Sequence, residues 1–476
     1  MGNRSNSKKW HQATVTIESW AGEGHGLGRL PDGRVVFVPW TLPGDVAEVV
    51  YRNTSKSYIR AHLKELVTHS SQRRQAACRH FGYCGGCQLQ HAPYYAQLAL
   101  KHQHIQGLMQ HLGRFKAPPV EEVLPCPSEW AYRNKLDFAF ASRGWLSPEQ
   151  LKQPEIKKEA ACGFHVAGHF DKVISIEECL LQPDDNNSIR KALVKLALSE
   201  GMSFFDPRSG VGVLRSLVLR CNRNNEWMVL LVVNGGGVAD AIRLFETLQP
   251  QFPQIISWYY VENPKKNDSL HDLEPVLWKG QPWLEETLDG LRFRVHPKSF
   301  FQTNTLQAEQ LYKLAREMAQ PGPEDVLFDL YCGTGTTTAV IGRYARLAVG
   351  VDVVEEAIAD ARRSAEENGL THLRFECGDT GALLAGGRMQ AYGQPDILIT
   401  DPPRAGMTPE VCREIQALAP RRIVYISCNP ATMVRDLNML SEKYDVQRIK
   451  PVDMFPQTRH IECVTLLTLK PSEQEA

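Results

Sequence analysis

From about residue 296 onward the chain alternates short apolar runs with amphipathic stretches, and this alternation leaves few folds open. Residues 326–330 read as a strand, 337–344 as a helix, 348–351 as a strand and 355–368 as a helix. Strands at 373–376, 397–400 and 423–427 follow with helices between, and 446–452 with 464–469 read as a closing antiparallel hairpin. The pattern predicts a doubly wound α/β sheet over residues 297–476, with a ligand crevice at the carboxyl ends of its strands.

The first strand of this unit runs into Asp329-Leu-Tyr-Cys-Gly333-Thr-Gly335-Thr-Thr-Thr. Glycines at 333 and 335 lack a Cβ and let backbone approach a ligand closely. Thr338 stands where a dinucleotide fingerprint needs a third glycine, which argues against a bound pyrophosphate. The second strand ends at Asp352, an acid able to accept both ribose hydroxyls of a nucleoside, and Asp379 after the third strand would face its adenine. An acid before the glycine turn with a second acid ending strand two resembles the S-adenosylmethionine sites of class I methyltransferases.

The fourth strand ends in Asp401-Pro-Pro-Arg404, and two consecutive prolines continue neither strand nor helix, so they form a rigid lip. Methyltransferases of planar nitrogen-containing bases often carry such a lip. The fifth strand ends in Ser427-Cys428-Asn429-Pro430, which places Cys428 in the same crevice, at the address of a nucleophile. Uracil C5 is too weak a nucleophile to take a methyl group directly. A thiolate adding to C6 makes an enolate whose C5 attacks the sulfonium methyl, and a base then removes the C5 proton. Glu462, in His460-Ile-Glu462-Cys463 at the start of the last strand, is the candidate base. Phe300-Phe301-Gln302-Thr-Asn304 offers an aromatic wall and amides.

Upstream, residues 8–68 read as a small OB-like barrel, with strand-like runs at 13–17, 34–38, 46–51 and 61–66. Turn chemistry separates them: Gly22, Gly24, Gly26 and Gly28, then Pro31-Asp32-Gly33 and Pro43-Gly44-Asp45. Residues 70–296 read as a mixed α+β domain, with a helix at 94–112, strands at 136–141, 172–176, 214–220 and 227–233, and a surface loop at 145–160. This segment opens with Cys78-x5-Cys84-Gly-Gly-Cys87. Three thiolates at that spacing suit an iron–sulfur cluster or zinc, with Cys162 or Cys179 as fourth ligand; Cys126 and Cys221 read as structural thiols.

The formal net charge of zero is an average: residues 1–116 hold 15 Lys+Arg against 6 Asp+Glu, and residues 117–476 hold 39 against 48. A basic front suits phosphates, which a chain-wide sum conceals. Residues 1–10 are polar with no apolar stretch behind their charges, and no apolar run approaches the ~18 residues of a membrane span. A cytoplasmic chain without a membrane partner or an evident obligate protein partner is expected.

The segments GEGHGLGRLPDGRVVFVPWTLPGD, CRHFGYCGGCQLQH, ISIEECL, FFQTN, DLYCGTGT, DPPRAG, SCNP and TRHIE run in order from residue 22 to 462. Together they resemble the bacterial RNA uracil-C5 methyltransferase family, in its form with an N-terminal TRAM domain and an iron–sulfur cluster. The resemblance implies a TRAM barrel, a central iron–sulfur domain whose 94–112 helix packs on the catalytic domain, and a Rossmann-like class I methyltransferase domain. It implies a [4Fe–4S] cluster on Cys78, Cys84, Cys87 and Cys179, the last because ISIEEC matches the segment before the family's fourth ligand. It implies Cys428 as nucleophile, Glu462 as general base and S-adenosylmethionine as methyl donor. Gln302, Tyr331, Asp352, Asp379 and Asp401 fall on the family's cofactor or catalytic positions, and Gly333, Gly335 and Thr336 form the cofactor turn. Thr336 replaces a frequent Asn, and Asp352 a frequent Glu.

The implied substrate is one uridine of 23S ribosomal RNA, flipped out of folded RNA. Transfer-RNA and dual-site ribosomal enzymes share the chemistry; the barrel and the cysteine cluster argue for ribosomal RNA, since the simplest transfer-RNA relatives lack them. A 5-methylcytosine enzyme would show Pro-Cys after strand four, where this chain has Asp401-Pro-Pro. A non-catalytic RNA-binding assembly factor would not need the intact SCNP and HIE segments.

Overall fold

Among the described residues, three sheets of six or seven strands and one two-stranded hairpin are strung along the chain. The computed structural model describes residues 9–22, 24–55 and 57–471. Residues 1–8, 23, 56 and 472–476 lie outside the described residues, and with them most of the polar N-terminal stretch and the first residue of the expected barrel.

The first sheet holds β1 (Trp10–Ala21), β2 (His25–Arg29), β3 (Val35–Pro39), β4 (Val46–Arg52), β5 (Tyr58–Arg60) and β6 (His62–Thr68), in the order β5-β3-β2-β1-β4-β6. β5 pairs parallel with β3, and β6 antiparallel with β4. The Ala61 N–H between them donates to the Phe37 carbonyl at 2.9 Å. One bent run thus touches both edges of the sheet and closes it around Val15, Ile17, Val36, Val38, Val49 and Ile59. The glycine cluster expected as a turn is corrected here: Gly26 and Gly28 lie inside β2. A Cβ on Gly28 would collide with the Thr16 carbonyl oxygen, beside the bulge of β1 between Ile17 and Ser19, and one on Gly26 with Thr41 Oγ1. These glycines permit close strand approach, while Gly24, at φ 82°, turns the chain.

After the cysteine segment comes α1 (Tyr94–Leu112), and then a second sheet. It contains β7 (Lys135–Ala141), β8 (Ala161–His165), β9 (Val173–Ser175), β10 (Leu214–Cys221), β11 (Trp227–Val233), β12 (Ile255–Glu262) and β13 (Val276–Gly280). Their order is β13-β12-β11-β10-β7-β8-β9. α2 (Asp185–Ser199) and α3 (Val238–Leu248) bury Ile189, Leu193, Leu244 and Phe245 against Trp227 and Trp258. α2 escapes a reading of apolar periodicity because its buried face opens with Asn186, Asn187 and Arg190. These side chains bond the backbone carbonyls of Cys179, Pro183 and Glu177 instead of packing on apolar carbon.

The hairpin β14 (Leu284–Leu288) and β15 (Leu291–Val295) leads into α4 (Thr305–Ala319), and their apolar residues share a core with the third sheet. That unit runs β16 (Val326–Leu330), α5 (Thr336–Gly342), β17 (Leu347–Asp352), α6 (Glu355–Glu367), β18 (Leu373–Cys377), α7 (Thr380–Ala385) and β19 (Ile397–Thr400). It continues with α8 (Pro409–Leu418), β20 (Arg422–Ser427), α9 (Pro430–Leu440), β21 (Tyr444–Val452) and β22 (Glu462–Leu469). The strand order is β18-β17-β16-β19-β20-β22-β21. β22 lies antiparallel between β20 and β21, and the other neighbouring pairs are parallel. Among the described residues no helix is long and apolar enough to cross a membrane.

α1 precedes the second sheet in sequence but packs on the third: Ile105 and Met109 join the core of Met433, Leu437 and Ile449. Val120 and Leu124 pair parallel with Ile449 and Val452, extending the sheet beyond β21. The join also holds a buried ion pair. Lys101 Nζ donates to Asp453 Oδ1 at 2.6 Å, and both side chains are fully buried. Removing one member strands the other as an unpaired buried charge. Lys101→Met should therefore lower stability by about 3–5 kcal/mol in denaturant unfolding, and the double variant Lys101→Met/Asp453→Leu should recover most of the loss.

Candidate active site and cysteine cavity

Tyr331, Gly333 and Gly335 all take left-handed φ values, 64°, 53° and 73°, so the chain turns sharply between β16 and α5. A Cβ on Gly335 would stand 2.7 Å from Ala361 Cβ and 2.8 Å from Phe375 Cε1, whereas one on Gly333 would meet nothing within 4 Å. The first glycine faces open space and the second lets helix and sheet close up. Asp329 is buried beneath the turn, where Oδ2 accepts the Thr338 hydroxyl at 2.5 Å and Oδ1 has no partner. Burial pushes its carboxyl up to about 7. Asp352, ending β17, is locked by backbone: Gly333 N–H donates to Oδ2 and Val354 N–H to Oδ1, each at 2.9 Å. Thr336 is buried, with its hydroxyl 3.4 Å from that of Thr334. A cradle open at Gly333 and rimmed by a fixed carboxylate fits a nucleoside-bearing methyl donor.

Asp379 caps α7, accepting the Ala382 N–H at 2.9 Å, and its charge is felt by the Tyr331 hydroxyl. The Gln302 carbonyl accepts from Asn134 Nδ2 at 2.9 Å. The Gln302 side chain and Thr337 flank the hydroxyl of Tyr312, a buried residue of α4 that also feels Asp401 and Asp329. Sequence reading passes over Tyr312, because an aromatic on the inner face of an amphipathic helix looks like any core residue.

The second half of the crevice follows from strand register. Ser427 on β20 pairs with Cys463 on β22, so Cys428 and Glu462 leave the sheet at the same edge. Burial, and then the charges of Glu462 and Asp401, push the Cys428 thiol up to about 11, while the Arg404 guanidinium opposes them. Burial, and then Asp401, raise the Glu462 carboxyl well above the usual range, again against Arg404. Asp401 itself is pushed up to about 7 by burial. The crevice thus brings a thiol, two acids and one guanidinium within electrostatic reach of each other.

The lip that carries Arg404 is clamped from α9. The Arg404 carbonyl accepts from Asn429 Nδ2 at 2.8 Å and Thr432 Oγ1 at 3.2 Å. Buried Asp436 accepts from Met407 N–H at 2.8 Å, the Tyr425 hydroxyl at 2.7 Å and Arg435 Nε at 2.8 Å. Arg435 Nη2 donates onward to the carbonyls of Ala405 and Met407, both at 2.9 Å. The signal for this clamp is an acid among Met433, Val434, Leu437 and Leu440 on the buried face of α9.

Cys78, Cys84, Cys87 and Cys179 line one cavity of about 230 Å³ between the cysteine loop and the second sheet. Cys162 lines no part of it, pairing across β7 and β8 with Phe140. Burial raises all four thiols, Cys84 to about 12, and the charges of Cys78 and Cys179 add to the effect at Cys84 and Cys87. Among the described residues no group of three or more His, Cys, Asp or Glu side chains is placed to hold a metal ion. Four thiols on one cavity are nonetheless the donor type that an iron–sulfur cluster takes.

The family profile described as tRNA (Uracil-5-)-methyltransferase matches residues 284–470, and the TRAM domain profile matches residues 12–64. A protein of Bacteroides thetaiotaomicron, named as an uncharacterized RNA methyltransferase, is 39% identical over 455 residues, covering 94% of this chain and 100% of that protein. A Porphyromonas gingivalis protein of the same name is 39% identical over 463 residues, covering 95% and 99%. This chain belongs to the RNA uracil-5-methyltransferase family. Its catalytic domain has the S-adenosylmethionine-dependent methyltransferase fold, behind an N-terminal TRAM barrel. The structure of Pyrococcus abyssi tRNA (uracil-54, C5)-methyltransferase in complex with S-adenosyl-L-homocysteine is 28% identical and superposes with a TM-score of 0.74. It covers 96% of this chain and 100% of that one, so a transfer-RNA enzyme shares the architecture through the barrel and central domain. The barrel therefore does not by itself select ribosomal RNA.

In this RNA methyltransferase, Arg404 favours the thiolate of Cys428. Replacing it by Gln should slow iodoacetamide alkylation of Cys428 near pH ~8 and displace the rate profile to higher pH, as read by peptide mass spectrometry.

Proposed function

We propose that this enzyme methylates C5 of a uridine in structured RNA through a covalent adduct on Cys428. The observation that carries the reading is the pairing of Ser427 with Cys463, which sets Cys428 and Glu462 at one sheet edge beside the glycine turn. Cys428 as thiolate adds to C6 of the extruded base, and the C5–C6 electrons pass into an enolate. S-adenosylmethionine supplies the methyl group, which C5 takes as S-adenosylhomocysteine departs. Glu462 as carboxylate then accepts the C5 proton, the C5–H electrons restore the double bond, and the C6–sulfur bond breaks to return the thiolate. Asp352 and the turn of Gly333 and Gly335 would hold the donor, with Gln302, Tyr331, Thr336, Asp379 and Asp401 around it. Arg404 lowers the cost of forming both anions in a buried setting.

Cys428→Ala should abolish both methylation and the denaturation-resistant RNA–protein adduct. Glu462→Gln should complete methyl transfer yet retain the adduct as a slowly migrating band on a denaturing gel. Methylation by Cys428→Ala at near wild-type rate would overturn the mechanism.

The proposed substrate is a uridine of 23S ribosomal RNA, supported by the order and identity of the eight sequence segments that run from residue 22 to 462. A transfer-RNA substrate is the second reading, favoured by the full-length likeness to the Pyrococcus enzyme. Mass spectrometry of both RNA classes from a deletion strain separates them. Loss of one 5-methyluridine from 23S RNA is expected, and loss from transfer RNA alone would transfer the same chemistry to the second substrate.

Cys78, Cys84, Cys87 and Cys179 would hold a [4Fe–4S] cluster, tying the cysteine loop to the segment before α2. Protein purified without oxygen should then carry iron and acid-labile sulfide in equal amounts, and Cys87→Ser should lose both.

A further inference from the structure

Gln457 is fully buried, and its backbone sits at φ 69°, where a residue with a side chain is strained. Its carbonyl accepts the N–H groups of Gln88 and Leu89, both at 3.0 Å. Its own N–H donates to Gln97 Oε1 at 2.9 Å. Its side-chain oxygen accepts from Gln97 Nε2 at 2.9 Å and Arg74 Nη2 at 3.4 Å, and its Nε2 donates to Glu129 Oε2 at 3.2 Å. One residue thus binds α1, the chain ahead of the cysteines, the cysteine loop and the segment before β7. Two positions on, Arg459 N–H donates to Gln88 Oε1 at 3.3 Å, and Gln88 Nε2 donates to Gly85 at 3.0 Å. The loop of Cys84 and Cys87 is therefore laced directly to residues 457–459, which lead into His460-Ile461-Glu462.

β22 is pinned from Glu462 by its pairing with Val452 of β21, and from Cys463 by its pairing with Ser427 of β20. The approach to Glu462 from the other side is held by this seam. We propose that Gln457 is a positioning residue for the general base, through which the conformation of the cysteine loop sets the placement of Glu462. This rests on the reading of Glu462 as the base. Cys428 addition and methyl transfer depend on the end of β20, the glycine turn and the Arg404 lip, none of which Gln457 or Gln88 bonds. Proton removal depends on Glu462 standing at C5, and sub-ångström displacement of such a group costs rate steeply. Loosening the seam therefore stalls the cycle after methyl transfer, with the methylated base still bonded to Cys428.

The test uses the full-length enzyme as purified with its RNA substrate, comparing single-turnover methyl transfer with release of the denaturation-resistant adduct. Gln457→Gly keeps the left-handed backbone and its carbonyl bonds but removes the side-chain contacts. Gln88→Ala, a half-buried position, cuts the seam from the cysteine side with less threat to folding. Each should slow adduct release by about tenfold or more while leaving methyl transfer within about twofold of wild type. Combined with Glu462→Gln, each should release no more slowly than Glu462→Gln alone, because both changes act on one step. Equal losses in methyl transfer and release, or multiplying losses in the double variants, would mean a general structural role and overturn the proposal. Adduct that builds up in Glu462→Gln but in neither seam variant overturns the proposal alone. Absence of adduct in Glu462→Gln removes the base assignment and the proposal with it.

Discussion

The insertion of β22 between β20 and β21, running opposite to β20, is the constraint on which the rest of the site depends. A parallel sheet delivers the carboxyl ends of its strands to one edge, where the glycine turn, Asp352, Asp401 and Cys428 lie. A parallel last strand would put its first residue at the opposite edge. Because β22 is antiparallel, its first residue, Glu462, arrives where the others end. A slip of one residue would turn Glu462 to the other face of the sheet. Both faces of β20 and β22 are buried, so such a slip would unseat side chains packed on either side of the sheet.

Crowding Asp329, Asp401, Glu462 and Cys428 into one apolar-walled crevice has an electrostatic consequence. Burial drives all four toward their neutral forms, and the two acids near Cys428 reinforce the effect on its thiol. Arg404 counters this on a lip whose position is dictated from α9 by Asp436 and Arg435. The helix that follows Cys428 in sequence therefore also sets the cation that tunes it. A site of this kind is poised to change protonation as a ligand displaces water and brings its own dipoles.

Residues 453–462 are where the three folding units meet. Lys101 of α1 enters at Asp453, the Tyr132 hydroxyl bonds the Pro456 carbonyl at 2.8 Å, and the cysteine loop joins at Gln457 and Arg459. Gly24 of the barrel stands against Gln88 and Arg459, where a Cβ would press on Gln88 and just touch Arg459. An irregular segment leading to a candidate catalytic carboxylate is thus fixed by backbone and buried polar bonds rather than by secondary structure of its own.

The alternation over the last third of the chain, the glycine turn, the address of Cys428 and the family itself were legible in the sequence, because periodicity and turn chemistry are imposed by neighbours along the chain. The same locality misled at Gly26 and Gly28, where a distant carbonyl and hydroxyl, not a turn, exclude a side chain. It also hid α2, whose inner face is polar and bonded to backbone. The resemblance already pointed to Cys179 as the fourth thiol and to the 94–112 helix packing on the catalytic domain; the tertiary structure sets Cys179, and not Cys162, on the cavity of Cys78, Cys84 and Cys87, and α1 on the third sheet. Only the tertiary structure made Asp436 and Tyr312 part of the crevice's support and joined Gln88 to Gln457. These are bonds between residues far apart in sequence, formed in buried space where each polar group must find a partner; no local period in the chain records which partner that is.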